Sequence, residues 1–263
     1  VYDKVQLVDF YDPQNNRFDV VNQLVIKGRR GKRVPDVILY INGLPMALME
    51  LKNPTDTNAT LQKAYNQLHT YKEDISDCFI YNQLLVISDG IQAKMGSLTA
   101  SFDRFSPWRV MGDKNELVDE LQILLNNLCP PAVLLDYIQN FIVFEQDSQG
   151  QPIKKQANYH QYDGVNQAIK ATLLARQRGD GKIGVVWHTQ GSGKSLSMLF
   201  YVGKVMSLAE LANPTVVIVT DRNDLDGQLF TTFSSAQALI RETPIKADGR
   251  DNLRQALANR QAG

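Results

Sequence analysis

The chain has 263 residues, enough for one large domain or two ordinary ones, and its 43% apolar content is that of a chain with a globular core. Twenty-eight basic residues balance 28 acidic ones, so contact with a polyanion has to rest on local patches and not on bulk charge. Two cysteines without metal or redox spacing, three scattered histidines, no apolar run of membrane-spanning length and no signal peptide argue against a disulfide scaffold, a His-ligated metal and a membrane protein, and for the cytoplasm.

The chain starts at Val1 without a Met and closes on a polar, helix-patterned run from Asn252 to Gly263, so both ends read as cuts in a longer protein. Residues 4–10 and 19–26 alternate apolar and polar, which predicts two strands of a hairpin around the turn chemistry of Asp12-Pro13-Gln14-Asn15-Asn16. A basic knot follows, Lys27 to Arg33; it is either a solvated loop or a phosphate contact beside the acidic residues that come next.

A strand from Val34 to Tyr40, an Asn42-Gly43 turn and a return strand from Leu44 to Lys52 form the second hairpin. Period-2 geometry puts Glu50 and Lys52 on one face, with Met49 and Leu51 on the other. A strict two-residue loop would pair Asp36 with Met49 and turn it to the wrong face. The hairpin is therefore expected to contain a bulge or an odd-length loop, or to leave Asp36 just before regular pairing. Two carboxylates, Asp36 and Glu50, can hold Mg²⁺ against a phosphodiester, and Lys52 would orient or help deprotonate water or neutralise developing charge. Taken alone the three residues also fit an exposed ion-paired hairpin. The order Pro-Asp…Glu-x-Lys is similar to that of a large nuclease superfamily.

Residues 58–73 have helical spacing, with Asn58 as the expected N-cap. Gln67 and Tyr71 lie four apart, on one face. A Gln-x-x-x-Tyr helix after a Glu-x-Lys strand resembles a subfamily of these nucleases found in RecB-like and restriction-motor proteins; the alternative is a Tyr packed on the sheet with Gln bridging. Residues 81–88 read as a central strand, 91–95 as a further extended segment, and the aromatic stretch 99–109 as a packed lid or, with Arg104 and Arg109, a base-stacking loop. Helices are expected over 116–128 and 132–141. The breaker-rich run from Gln146 marks the boundary, so the expected organisation is a nuclease domain over 1–145, a linker over 146–156 and a second domain over 157–263.

In the second domain, a helix over 159–176 leads to a β-branched run, 184–187, and then to His188-Thr189-Gln190-Gly191-Ser192-Gly193-Lys194-Ser195 at the start of another helix. Strand, Gly-rich turn, Lys-Ser and helix are what a phosphate-binding loop requires. Backbone groups of Thr189, Gln190, Gly191, Ser192 and Gly193 would cradle ATP phosphates, Lys194 would reach the β- and γ-phosphates, and Ser195 would ligate Mg²⁺. His188 stands where the general pattern has its first Gly. A buried parallel strand is expected over 215–220, ending in Asp221-Arg222-Asn223-Asp224-Leu225-Asp226-Gly227-Gln228 and another helix. The alternation predicts an α/β, doubly wound core.

The stretch Trp187 to Ser195, the Asp221-Arg222-x-x-Leu225-x-x-Gln228 segment, Val34-Pro35-Asp36 with Met49-Glu50-Leu51-Lys52-Asn53, and Leu85 to Gly90 together resemble the motor (R) subunit of type I restriction–modification enzymes. The resemblance covers nearly the whole chain. It implies a PD-(D/E)xK nuclease-like mixed sheet with flanking helices, followed by part of a RecA-like helicase domain. It also implies cleavage of double-stranded DNA coupled to ATP-driven translocation, and partnership with methyltransferase (M) and specificity (S) subunits. By the same resemblance Gln161 is the adenine contact. The acidic box, arginine fingers and second lobe that such motors need are not found in the chain, so it is expected to be an amino-terminal portion that does not hydrolyse ATP alone. A stand-alone superfamily 2 helicase–nuclease of repair or recombination shares both motif sets, and a non-enzymatic nucleotide switch is a third reading.

Overall fold

A computed structural model describes residues 5–28, 30–55, 60–110, 119–147, 149–221 and 223–258. The chain falls into two compact units, one of Val1–Ile142 with Lys154–Tyr159 and the other of Val143–Ile153 with His160–Gly263.

The first unit is built on a mixed sheet. Its strands are β1 (Phe18–Asn22), β4 (Val37–Ile41), β5 (Leu44–Leu51), β6 (Leu84–Ser88) and β7 (Ala93–Gly96), in that spatial order. Between β1 and β4 the chain makes a small separate ladder of β2 (Ile26–Gly28) and β3 (Gly31–Arg33). The β5–β6 pair is parallel and the other pairs of the main sheet are antiparallel. Asn42 and Gly43 both take positive φ and close the β4–β5 hairpin, as an Asn-Gly pair favours.

The crossover between the parallel strands carries helix α1 (Leu61–Asp74). Leu61, Ala64, Leu68, Tyr71 and Asp74 recur at helical spacing and form its buried face. That face joins Ile38, Leu48, Leu85 and Ile87 of the sheet in one apolar cluster. The expected cap, Asn58, lies outside the described residues; the N-cap is Thr60, whose hydroxyl accepts from the Lys63 N–H at 3.2 Å. Helices α2 (Glu120–Leu128) and α3 (Pro131–Asn140) follow, Asp119 capping the first.

β8 (Ile142–Gln146) and β9 (Pro152–Gln156) form a two-stranded ladder over the stretch read from the sequence as a linker. Lys154 of β9 is buried, its ammonium donating to the Asn82 carbonyl and to Gln83 Oε1. Desolvation pulls it down to about 8.

One expectation for the first unit changes. Residues 5–10 form no strand, because the Asp9 carboxylate accepts from the N–H groups of Tyr11 and Asp12 and bends the chain there; β1 pairs with β4 instead. Of the two readings of the aromatic stretch the packed one holds: Phe105 and Trp108 are buried, Trp108 packing edge-on to Tyr137 at 5.6 Å.

Beyond β9 the described α-helices are α4 (Tyr159–Arg178), α5 (Lys194–Ser207), α6 (Asn223–Ser235), α7 (Gln237–Ile240) and α8 (Arg250–Ala258). Leu199, Phe200, Val202 and Val205 give α5 a buried face, and Thr172 of α4 meets the Tyr201 hydroxyl at 2.7 Å. The expected strands over 184–187 and 215–220 are not formed as ladders. Val185 is 94%, Trp187 89% and Val219 87% exposed. A parallel strand of this composition needs a ladder neighbour on each side, and no described residue supplies one to either segment. No single helix among the described residues is long and apolar enough to cross a membrane.

Candidate functional site

The β4–β5 hairpin carries the densest chemistry. From Val37↔Met49 to Leu39↔Ala47 the pairing is offset by one residue from Tyr40↔Pro45 and Ile41↔Leu44. This bulge absorbs one residue of β5, and Asp36 lies immediately before β4, so both devices expected from the sequence are present. Continuing the register places Asp36 opposite Glu50. The Asp36 Oδ2 atom accepts from the Leu51 N–H at 2.8 Å, which fixes the carboxylate across the strand from Glu50.

Glu50 is only 3% exposed. Its Oε1 atom receives the Lys52 ammonium at 2.6 Å, while its Oε2 atom is buried without a hydrogen-bond partner. Burial raises the Glu50 carboxyl above the ordinary carboxylate range; the Lys52 hydrogen bond opposes this and the negative charge of Asp36 adds to it. Tyr71 of α1 donates to the Val34 carbonyl at 3.2 Å and so ties the helix to the chain just before Asp36. Burial pushes its phenol up to about 12, with hydrogen bonding by Gln67 in opposition and the charge of Glu50 reinforcing it. At neutral pH Tyr71 is therefore a donor and not a base. Asp36, Glu50, Lys52, Gln67 and Tyr71, singled out by spacing and by their resemblance to a nuclease motif, are thus brought together.

A divalent cation is implied here, and the donor set fits one. Magnesium is commonly held by one or two carboxylates, with waters and substrate phosphate oxygens completing its shell. Asp36 and Glu50 supply two carboxylates, and the unsatisfied Glu50 Oε2 is a buried oxygen that lacks a counter-group. Among the described residues no cluster of three or more His, Cys, Asp or Glu side chains could enclose a metal, so the remaining ligands would come from water and substrate.

In the second unit Gly193, at φ 81°, caps α5 and the loop curls over the helix start. Lys194 donates to the carbonyls of His188 at 2.9 Å and Thr189 at 2.8 Å. Thr189, Gln190, Gly191 and Lys194 are exposed; Ser192, Gly193 and Ser195 are half-buried. Gln161, expected at an adenine edge, is 2% exposed and donates its amide to the Gly193 carbonyl at 3.0 Å, so it braces the loop.

Two histidines to which the sequence reading gave no role meet beside this loop. His160 meets the Ser192 carbonyl at 3.1 Å, and its ring lies edge-on to His188 with centroids 5.3 Å apart. Their signal was present but weak: His160 directly precedes Gln161, and His188 fills the place of a loop glycine.

The comparisons with known proteins divide the chain in the same order. Residues 1–104 match the family model for the type I restriction enzyme R protein N terminus, and residues 160–263 match that for the SWI2/SNF2 ATPase. A restriction-type amino-terminal module thus precedes an ATPase-like region. The chain is 57% identical over 98% of its length to the "Type I restriction enzyme HindI endonuclease subunit" of Haemophilus influenzae. It is 34% identical over 91% to the "Putative type I restriction enzyme MjaIXP endonuclease subunit" of Methanocaldococcus jannaschii. A Staphylococcus aureus endonuclease subunit, SauCOLORF180P, is 29% identical over 83% of the chain. The chain belongs to the R-subunit family of type I restriction enzymes. It spans about a quarter of the length of the curated relatives it matches, 25% of the first and 26% of the second.

Proposed function

We propose that this chain is the DNA-cleaving and ATP-binding part of the motor subunit of a type I restriction endonuclease, with a PD-(D/E)xK nuclease followed by the first part of a RecA-like translocase. The observation that carries the reading is the register-opposed pair Asp36 and Glu50, with Lys52 at 2.6 Å from Glu50. A bound Mg²⁺ would supply Lewis acidity toward a phosphodiester and make water a better nucleophile. The chain's own residues do the rest. Asp36 and Glu50 would hold the ion, and the Leu51 N–H keeps Asp36 aimed. Lys52 orients the attacking water and neutralises charge that develops on the phosphate. Tyr71, held protonated, fixes the segment before Asp36 through the Val34 carbonyl.

In the second unit, phosphate oxygens of ATP would replace the His188 and Thr189 carbonyls as acceptors for Lys194, with Ser195 joining the accompanying Mg²⁺. Coupling would then run from ATP-driven translocation of duplex DNA to cleavage, in a cytoplasmic complex with methyltransferase and specificity subunits.

The test is cleavage of plasmid DNA by the complete enzyme with Mg²⁺ and ATP. Glu50→Gln should lower cleavage by about 10³-fold, several kcal/mol of lost metal-assisted stabilisation. Wild-type cleavage in that variant would refute the assignment.

A further inference from the structure

The β2–β3 ladder pairs Ile26 with Arg33, Lys27 with Lys32 and Gly28 with Gly31. Alternation gives this hairpin two unlike faces. One is fixed to the protein. Ile26 packs against the apolar cluster, and the buried Asp74 carboxylate holds Arg33 at 2.6 Å. Gly28 lies so close to the end of α1 that a β-carbon there would fall 1.9 Å from the Asp74 carbonyl oxygen, so only glycine allows the approach.

The other face carries Lys27 and Lys32 directly opposite each other, both exposed. Neither has an ion-pair partner among the described residues. Of the acidic side chains around this hairpin, Glu73 is engaged by Arg30 at 3.4 Å and Asp74 by Arg33, while Asp77 lines the same pocket as Lys27. Like charges facing each other across a ladder are destabilising, and this ladder is only three pairs long. No ion pair among the described residues ties up either ammonium, so the exposed pair is suited to an external polyanion.

Its place narrows the partner. Lys32 precedes Asp36 by four residues, and the chain between them is pinned through Arg33 to Asp74 and through the Val34 carbonyl to Tyr71. Four extended residues span at most about 14 Å, roughly four base steps at 3.4 Å along one strand. From this geometry we infer that Lys27 and Lys32 clamp the phosphate backbone of duplex DNA a few base steps from the Asp36–Glu50 centre. They are positioning residues, and their contacts are independent of sequence because phosphates carry no base information. This rests on the nuclease reading above.

The experiment measures affinity of the complete enzyme for a random-sequence duplex, with Ca²⁺ in place of Mg²⁺, between about 50 and 200 mM salt. Each phosphate contact contributes about 0.9 to the slope of log K against log salt. The double variant K27Q/K32Q should therefore flatten the slope by about 1.8, and K27R/K32R should restore it. Melting temperature should not fall in K27Q/K32Q, because a repulsion has been removed. An unchanged slope overturns the clamp, as does a loss that appears only with a lowered melting temperature. Glu50→Gln, assayed for cleavage in parallel with Mg²⁺, separates the two readings. If it cleaves like wild type the nuclease reading fails; if it is inactive while K27Q/K32Q keeps the wild-type slope, only the clamp fails.

Discussion

Glu50 shows how a single position can trade stability for function. Its carboxyl is buried, its Oε2 atom is unsatisfied, and its affinity for a proton is raised above that of an exposed Glu. The sign of the linked stability follows. Below the ordinary value of 4.5 the group is protonated folded and unfolded, and burial costs no charge. As pH rises through the higher folded value the carboxylate ionises while still buried, and stability is lost. Glu50→Gln should accordingly melt higher than wild type at pH 8 with metal chelated, and the difference should vanish below 4.5. For a chain of this size a gain of about 1 kcal/mol corresponds to roughly 2–4 °C. A variant less stable than wild type at pH 8 would mean that the Lys52 contact outweighs the desolvation.

At the scale of elements, the site depends on two pieces, a bulged hairpin and the helix laid across it. The hairpin was legible because Asn42-Gly43 is a local turn signal, and because the side of the strand that Glu50 and Lys52 share follows from period 2. Even the irregularity was legible, since regular pairing would have sent Asp36 to the wrong face. Helix α1 was legible from the spacing of Leu61, Ala64, Leu68 and Tyr71. Leu68 is fully buried between α1 and the sheet, so Leu68→Ala should cost about 2–5 kcal/mol, measured as a lowered denaturation midpoint. Cleavage at permissive temperature should change far less than in Glu50→Gln, because neither Asp36 nor Glu50, the carboxylates proposed to hold the metal, is touched. Asp9 was misread because an apolar–polar alternation does not reveal that a carboxylate will accept from the N–H groups just ahead of it and stop a strand.

Across the whole molecule, legibility falls where structure depends on distant partners. The β-branched runs 184–187 and 215–220 have strand composition, yet composition cannot provide ladder neighbours, and both segments join no ladder and are largely exposed. The turn from Gly191 to Lys194 was readable all the same, because it is set locally by glycine and the start of α5. For Gln161 the sequence offered only a contact implied by resemblance; the folded unit adds the bond from its amide to the Gly193 carbonyl, which composition and spacing do not reveal. The central claim is that Asp36 and Glu50 form a divalent-cation site independent of the nucleotide loop. Calorimetric titration of Mn²⁺ into nucleotide-free protein tests it most directly. One site should appear in wild type and in Lys194→Ala, and should be lost in both Asp36→Asn and Glu50→Gln; binding that persists unchanged in the two carboxylate variants would contradict the account.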